Sequence, residues 1–259
     1  MKIALIGSGR LATQLGMAMK AAGHDVLQVY SRTEANARSL ALLLQTTYTT
    51  SLTSVTHDAQ LYVVALTDAV LEDALATLCP DRKDKVFVHT AGSMPMDVFA
   101  GKAVHYGVFY PMQTFSKERN VDFSKIPVFV EYQDSIAKTC IEDLAFSLSS
   151  HVYNLTSEGR RHLHLSAVFA CNFVNHCYAL AADILQQHNL PFDVLLPLID
   201  ETAEKVHQLH PDMAQTGPAI RFDRNVIDKQ LQLLPPSSNA RRIYECMSKS
   251  IHEKYTRND

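Results

Sequence analysis

The sequence has no large excess of charge of either sign. Its 259 residues include 24 lysines and arginines and 27 aspartates and glutamates, which gives a formal net charge of −3. A chain without a strong positive field has no general attraction for nucleic acid or for an anionic membrane surface. We therefore expect neither nucleic acid nor a membrane among its partners.

Long apolar runs are also missing. The apolar stretches are short and interrupted, so we expect none to reach the roughly 20 residues that a membrane helix needs. The glycine-rich segment 7–9 interrupts the apolar start before the core of a signal peptide could form. These absences predict a cytoplasmic protein.

Patterns typical of several enzyme classes are absent as well. The five cysteines form no Cys-x-x-Cys pair, which favours a reducing compartment. The twelve histidines show no zinc-hydrolase spacing, so we expect no metal. Neither a Gly-x-Ser-x-Gly elbow nor a phosphate loop ending in Gly-Lys-Ser/Thr occurs, which argues against acyl transfer and ATP hydrolysis.

The first 23 residues combine a predicted strand, a glycine turn and a helix. Residues 2–6 are strand formers, and Gly7-x-Gly9-x-x-Ala12 follows them directly. In dinucleotide-binding domains the first glycine permits a tight turn, the second lets the backbone approach a diphosphate, and the small third residue lets the helix pack on the strand. The diphosphate lies at the helix N-terminus, where N–H groups and the helix dipole favour negative charge. The predicted contacts are Gly7, Ser8, Gly9, Arg10, Leu11 and Ala12.

The second predicted strand ends in Ser31-Arg32-Thr33. NAD-specific sites usually have a carboxylate here, which accepts hydrogen bonds from the ribose hydroxyls and would repel a 2′-phosphate. Two hydroxyls and a guanidinium suit that phosphate instead. We therefore predict NADP as the cofactor, with Ser31, Arg32 and Thr33 around its 2′-phosphate.

Further strands alternate with helices up to about residue 155. This order predicts an α/β fold, a doubly wound and mostly parallel Rossmann sheet, in an NADP-binding domain over residues 1–155. Ligands bind at the carboxyl ends of such strands, so the loops after two of them are expected to contact the cofactor. The predicted contacts there are Leu66, Thr67, Asp68, Thr90 and Ala91, and Thr67-Asp68 is also suited to cap the following helix.

Strand patterns disappear after residue 156. Residues 157–187 contain no proline and, after Gly159, no glycine, which predicts one long and largely buried helix. Pro191 suits the first turn of the next helix, to about residue 209, and two more helices are predicted at 224–233 and 237–255. Residues 156–259 are thus predicted to form an all-α domain that binds substrate and forms a homodimer.

Four stretches, in order over nearly the whole chain, resemble a known family. They are Gly7-x-Gly9-Arg10-x-Ala12, residues 89–93 (HTAGS), residues 110–115 (YPMQTF) and Thr216-Gly217-Pro218-Ala219-x-Arg221-x-Asp223. The chain resembles Rossmann-like proteins with a C-terminal helical domain of unknown function, described as NADP oxidoreductases. Wider relatives are pyrroline-5-carboxylate reductase, 6-phosphogluconate dehydrogenase-like enzymes and deazaflavin-dependent NADP reductases. The resemblance implies a dimer whose helical domains complete the active site. Tyr110 stands where the family pattern leads us to expect histidine, and Phe222 where it leads us to expect glycine.

The long helix carries the candidate proton-transfer groups. Related hydroxyacid dehydrogenases use a lysine and an asparagine one turn later on this helix, but no lysine lies between positions 138 and 205 here. His164, Asn172 and His176 share one helical stripe. We predict that Asn172 orients a carbonyl or carboxamide and that His164 or His176 exchanges a proton. The alternative is that these groups are satisfied within the helix or at a subunit contact.

Loop residues supply the remaining candidates. His89, at a strand end, is either a proton-transfer group or a histidine bonded to backbone. Ser93 is suited to donate to a substrate oxygen or to cap a short helix near residues 95–99. Gln113 and Thr114 are suited to hold substrate or to seal a domain interface.

A second predicted substrate loop lies in the helical half and contains Thr216, Gly217, Pro218 and Arg221. Arg221 offers a planar donor fork for a carboxylate or phosphate, and its alternative partner is Asp223. The sequence therefore predicts an NADP(H)-dependent oxidoreductase that transfers hydride to or from a small polar substrate, neutral or anionic. The alternatives are a non-catalytic NADP-binding sensor or scaffold, and a deazaflavin-dependent NADP reductase.

Overall fold

The structure is a computed structural model that describes residues 1–116 and 119–256. Its sheet has eight strands in the order β3-β2-β1-β4-β5-β6-β7-β8. The strands are β1 (Lys2–Ile6), β2 (Asp25–Tyr30), β3 (Thr47–Thr49), β4 (Leu61–Val64), β5 (Val86–His89), β6 (His105–Pro111), β7 (Val128–Tyr132) and β8 (Val152–Asn154).

The sheet is parallel except at one pairing. Only β6 and β7 run antiparallel among the strand pairs of the described chain. The chain order reverses beside β1, which pairs with β2 on one side and with β4 on the other. This is the switch point at which doubly wound sheets bind ligands. The predicted α/β class with a doubly wound, mostly parallel sheet is confirmed.

The first helices cover the sheet, and in the described chain the helices after β8 follow one another without further strands. They are α1 (Arg10–Ala21), α2 (Glu34–Leu44), α3 (Asp68–Leu78), α4 (Ser135–Leu148), α5 (Ser157–Ala167), α6 (Val174–Gln187), α7 (Leu196–Gln208), α8 (Pro211–Ala214), α9 (Arg224–Gln232) and α10 (Asn239–Thr256). The predicted helices after Pro191 and at 224–233 and 237–255 thus correspond to α7, α9 and α10.

Both faces of the sheet are buried, because the side chains of each strand alternate between two apolar clusters. In β1, Ile3 and Leu5 belong to the cluster that also contains residues of α1, α2 and α4. Ala4 and Ile6 belong to the other cluster, which contains residues of α3. Helices on both faces explain why the central strands are apolar without interruption.

The long helix differs from the prediction. Residues 157–187 are helical, with a π-type turn at Val168–Phe173 between α5 and α6. However, Arg160 is the only buried residue of this segment in the described chain, so the expectation of a largely buried helix is wrong. An apolar composition shows that a helix surface is stabilised by burial. It does not show whether the same chain or another molecule covers that surface.

The same helix also corrects the expectation about membrane-length segments. Ser157–Gln187 is long and apolar enough to cross a membrane, with a mean hydropathy of 1.3 over its best window. A single helix of this kind is weak evidence of a span, because other apolar helices pass the same test.

The chain separates into two compact units, residues 1–172 and 173–259. The first contains the whole sheet, which ends at Asn154, and α1 to α5. The second contains α6 to α10. The N-cap residue of its α9 is Asp223, whose carboxylate accepts a hydrogen bond from the Val226 N–H at 3.4 Å.

Candidate functional site

The glycine turn after β1 has a geometry that only glycine fits. Gly7 has φ +127°, in a region that side chains disfavour, and a Cβ there would lie 2.3 Å from the Ala65 carbonyl oxygen. Its N–H donates to the Tyr30 carbonyl at 2.8 Å, while the Ala65 N–H donates to Ile6 at 2.7 Å. The turn is therefore tied to the ends of both neighbouring strands.

The N-terminus of α1 fits a diphosphate. Gly9 is its N-cap residue and makes no side-chain cap hydrogen bond, and no acidic residue lies in the first turn. A Cβ on Gly9 would meet no atom of the described chain within 4 Å. The first turn thus offers N–H groups and a positive dipole end to an anion without a competing carboxylate. Ser8, Arg10 and Leu11 lie on the same turn, and Ala12 is completely buried under it.

The end of β2 matches the prediction only in part. Arg32 and Thr33 are exposed, as a phosphate-binding pair requires. Ser31 is buried, however, and its Oγ accepts a hydrogen bond from the Ser8 hydroxyl at 2.7 Å. Glu34 lies in the first turn of α2, where its Oε1 accepts from the Tyr48 hydroxyl of β3 at 3.2 Å. Sequence reasoning missed this carboxylate because Glu34 comes directly after Ser31-Arg32-Thr33, the three residues that the prediction considered.

The loops after β4 and β5 meet at the same sheet edge. The Thr90 N–H donates to the Val64 carbonyl at 3.2 Å, with Ala91 next in the chain. Thr67, after Leu66, is the N-cap residue of α3, but its side chain makes no cap hydrogen bond. Asp68 instead accepts a hydrogen bond from the Ser93 hydroxyl. Ser93 therefore joins the two loops. It does not take the alternative role of capping the short helix Met96–Phe99, whose N-cap residue is Pro95.

His89 occupies a buried position. Its side chain is 0% exposed and stacks on Phe99 with ring centroids 5.7 Å apart. Nδ1 accepts from the Ala91 N–H and Nε2 donates to the Pro95 carbonyl, each at 3.2 Å. Burial, together with the nearby Arg160 charge, lowers the pKa of His89 to about 3. This environment favours the backbone-bonded alternative over proton exchange with a substrate.

A buried ion pair anchors the start of α5. Arg160 Nη1 donates to Glu131 Oε2 of β7 at 2.6 Å, and Nη2 donates to the Met94 carbonyl at 2.5 Å. Ser157 donates to the same carboxylate at 2.7 Å and accepts from the Met96 N–H at 2.8 Å. The network fixes the loop after β5 against α5. Sequence reasoning missed it because its members come from three distant segments.

A cavity of about 550 Å³ lies between the end of β6 and α5. We call it the β6–α5 cavity. Most of its wall is apolar, and Tyr110, Gln113, Thr114, His164 and Asn172 line it with polar groups. The remaining lining residues are Met112, Leu163, Ser166, Ala167, Ala170 and Cys171.

The cavity unites four of the predicted residues. Gln113, Thr114, His164 and Asn172 all line it, as the sequence analysis requires of substrate-site residues. Tyr110, which the sequence analysis noted only as a departure from a family pattern, has its hydroxyl 3.0 Å from His164 Nδ1. His176 lies on α6 in the second compact unit.

The predicted loop of the helical half forms a tight turn. Gly217 has φ +101°, and the Asp223 N–H donates to the Pro218 carbonyl at 3.0 Å, which closes a turn over residues 218–223 directly after Thr216 and Gly217. Arg221 is exposed, and no ion pair joins it to Asp223 in the described part of the chain. Phe222 has φ +50°, which explains why a glycine is expected at its position.

Residues 1–116 and 119–256 contain no group of three or more histidine, cysteine, aspartate or glutamate side chains arranged to hold a metal ion. The groups that the candidate site offers to a ligand are therefore its hydrogen-bonding side chains and the N-terminus of α1.

The fold and the glycine turn define the class: a Rossmann-type protein with a C-terminal helical region. The model of a Rossmann-like domain matches residues 1–108, and that of a domain of unknown function, DUF2520, matches residues 126–251. A provisionally named NADP oxidoreductase from Bacteroides fragilis is 52% identical, covering 97% of this chain and 98% of that one, with a TM-score of 0.94. The chain belongs to the family that joins a Rossmann-like domain to DUF2520, as its resemblance indicated.

Two distant structures share the fold. The imine reductase from Myxococcus stipitatus in complex with NADP⁺ is 14% identical, with coverage of 99% and 93% and a TM-score of 0.66. The pyrroline carboxylate reductase from Plasmodium falciparum with NADP bound is 13% identical, with coverage of 97% and 98% and a TM-score of 0.62. At this identity the likeness concerns the fold alone. A comparison with curated protein sequences gives no match.

Proposed function

We propose that this protein is an NADP(H)-dependent oxidoreductase that reduces, or forms, a C=N or C=O group of a small polar substrate. One observation carries the proposal. The glycine turn after β1 and the β6–α5 cavity lie at the same edge of the sheet, because β1, β4, β5 and β6 are parallel and Tyr110 is near the carboxyl end of β6. A dinucleotide on the turn and a substrate in the cavity would be neighbours.

The residues at the turn fit NADP. The first turn of α1 would hold the diphosphate, and Arg32 with Thr33 would hold the 2′-phosphate. When bound, the cofactor supplies or accepts hydride at C4 of its nicotinamide. The names of the relatives support this cofactor, since the Bacteroides protein is called an NADP oxidoreductase and both distant reductases were solved with NADP.

The cavity residues would orient the substrate. The Asn172 carboxamide and the Gln113 and Thr114 side chains offer donors and acceptors for a carbonyl, an imine or a carboxamide. Arg221, with Thr216, Gly217 and Pro218, remains our candidate for an anionic group of the substrate. Ser93 is less available than the sequence suggests, because its hydroxyl already donates to Asp68.

A cofactor titration tests the first half of the proposal. We expect micromolar binding of NADPH, and Arg32→Ala should weaken it by about 10- to 100-fold, the value of a charge-assisted hydrogen bond. The same variant should leave NADH binding unchanged. Lys20→Ala is the matched control, because Lys20 carries the same charge at the opposite end of α1. Absence of NADPH binding at high micromolar protein would refute the proposal.

Turnover tests the second half. Oxidation of NADPH is followed with 1-pyrroline, 1-pyrroline-5-carboxylate and glyoxylate, which represent a neutral imine, an anionic imine and an anionic carbonyl compound. We expect at least one to be reduced. NADPH binding without turnover on any of them would favour the non-catalytic alternative.

We also propose a homodimer formed through the C-terminal helices, and a cytoplasmic location. The support for the dimer is the exposed apolar surface of the long helix, where Leu165, Val174 and Ile184 are 55%, 37% and 40% exposed in the single chain. A second copy of the chain is the occupant that the family resemblance implies.

A further inference from the structure

Two titratable side chains meet in the wall of the β6–α5 cavity. The Tyr110 hydroxyl lies 3.0 Å from His164 Nδ1, and the two rings contact edge to face with centroids 6.0 Å apart. They come from β6 and α5, which are 54 positions apart in the sequence. Such a pair connects a buried phenol to an imidazole, a group that can both donate and accept a proton.

The cavity offers few other sources of a proton. Of its eleven lining residues, only Tyr110, His164 and Cys171 carry a side chain of the kinds that act as general acids. The amides of Gln113 and Asn172 can orient a substrate atom but do not release a proton at neutral pH. The reduction of C=N or C=O needs one proton for each hydride, so the donor has to be one of these three groups or water.

The surrounding structure holds the pair in place. Tyr110 is 8% exposed and packs against Phe129, with ring centroids 6.5 Å apart. Gly92 gives His164 its space, because a Cβ there would lie 2.6 Å from Nδ1. Arg160, one helical turn before His164, is fixed by the buried ion pair with Glu131. Such packing is what a preorganised proton donor requires.

We infer that Tyr110 is the proton donor of the reductive half-reaction and that His164 positions its hydroxyl and returns its proton. The inference rests on the proposed function. A hydride from NADPH adds to the carbon of the C=N or C=O group, and the Tyr110 O–H proton is transferred to the nitrogen or oxygen. The products are NADP⁺ and an amine or alcohol. His164 passes its Nδ1–H proton to the tyrosinate while Nε2 takes a proton from solvent, and proton exchange with solvent then returns the ring to its Nδ1–H tautomer.

The electrostatics keep the proton on Tyr110 before the reaction begins. Burial raises the pKa of Tyr110, and the charge of Arg160 opposes part of that rise. The phenol is therefore protonated at neutral pH before the reaction begins. Its location beside a histidine that solvent reaches provides a route for the replacement proton.

The decisive variant is Tyr110→Phe, which removes one oxygen and keeps the ring packing. We expect kcat for the reduced substrate to fall at least about 100-fold, the usual contribution of a general acid, while the Kd of NADPH changes less than about twofold. We expect the wild type to show a solvent deuterium isotope effect on a single turnover. In Tyr110→Phe this isotope effect should disappear or change in size. Tyr153→Phe is the matched control, because it makes the same change at a tyrosine of β8 that is 50% exposed and does not line the cavity, and it should keep full activity.

Two further measurements separate the roles. His164→Asn keeps a hydrogen-bonding atom near the place of Nδ1 but cannot pass a proton on, so we expect a loss of about 10-fold. The ¹⁵N shifts of the His164 ring, measured at pH 7.5 without cofactor or substrate, should change in Tyr110→Phe because the hydrogen bond is gone. If the ¹⁵N shifts are unchanged, Tyr110 and His164 are not hydrogen-bonded in solution, and the inference fails.

The outcomes distinguish the two proposals. If the wild type reduces one of the three test compounds and Tyr110→Phe keeps more than a third of that activity, the proton-donor assignment fails and the proposed function stands. If the wild type binds NADPH but reduces none of the compounds, both fail.

Discussion

At the scale of single residues, the two glycines of the first turn serve different purposes. Gly7 is required by the chain itself, since its φ is +127° and the Ala65 carbonyl occupies the space of a Cβ. Gly9 has an ordinary backbone conformation, with φ −72°, and free space around it. The sequence pattern assigns both to one motif, but the geometry separates folding from ligand binding.

This separation gives a testable contrast. Gly7→Ala should lower the free energy of unfolding by about 2 kcal/mol or more, because it combines a disfavoured φ with a backbone clash. Gly9→Ala should change stability by less than about 1 kcal/mol, the cost of a poorer N-cap, yet weaken NADPH binding at least about 10-fold, because the methyl group occupies the path of the diphosphate. Urea unfolding and NADPH titration of both variants check the pair. Equal NADPH affinity of Gly9→Ala and wild type would contradict the assignment.

His89 makes stability depend on pH. Its folded pKa is about 3, below the ordinary value of 6.5, so the folded chain resists a proton that the unfolded chain accepts. The contribution of neutral His89 to the free energy of unfolding is complete above pH 6.5. It is lost as the pH falls from 6.5 toward 3. At pH 5 the loss is about 2 kcal/mol.

The measurement is urea unfolding at pH 7.5 and pH 5.0, in the wild type and in His89→Gln. The variant has no imidazole to protonate here, so its free energy of unfolding should fall by about 2 kcal/mol less than that of the wild type. His24, whose pKa burial also lowers, is present in both proteins and cancels. An equal decrease in the two proteins would show that His89 is not the titrating group.

At the scale of elements, the sequence predicts best where periodicity and turn residues agree. The segments of β1 and α1 combine apolar runs with glycine boundaries, and both appear within a few residues of their predicted limits. β3 was not predicted because Thr47–Thr49 is short, polar and largely exposed, and so lacks an apolar signal. It forms because β2 offers an edge with which to pair.

The residues of the candidate site also fall into two groups: those in local sequence patterns, and those that only the fold brings together. Gly7, Gly9 and Arg32 belong to local patterns, so sequence reasoning reaches them. The Arg160–Glu131 ion pair spans 29 positions, and the partners Tyr110 and His164 are farther apart still, so no local spacing reveals them. Tyr110 is visible in the sequence only as a tyrosine in a place where histidine was expected. Its role depends on the strand pairing that extends β6 to Pro111.

At the scale of the whole molecule, the long helix needs a cover for its apolar surface. A chain that exposes several large apolar residues on one helix presents a surface typical of an interface. Residues 157–187 are also apolar enough to enter a membrane. These two possibilities make opposite predictions in solution, because a dimer is dispersed without detergent and a membrane helix is not.

We therefore expect sedimentation at micromolar concentration, without detergent, to give a dimer. Ile184→Glu places a charge on the apolar surface of α6 and should shift the protein toward monomer by at least about 10-fold in the dimer dissociation constant, since burying an unpaired carboxylate is costly. Leu42→Glu is the control, because Leu42 is 70% exposed on α2 in the sheet-containing unit, and it should leave the dimer intact. A monomeric wild type would remove the dimer proposal. A wild type that stays in solution only with detergent would assign the apolar surface to lipid.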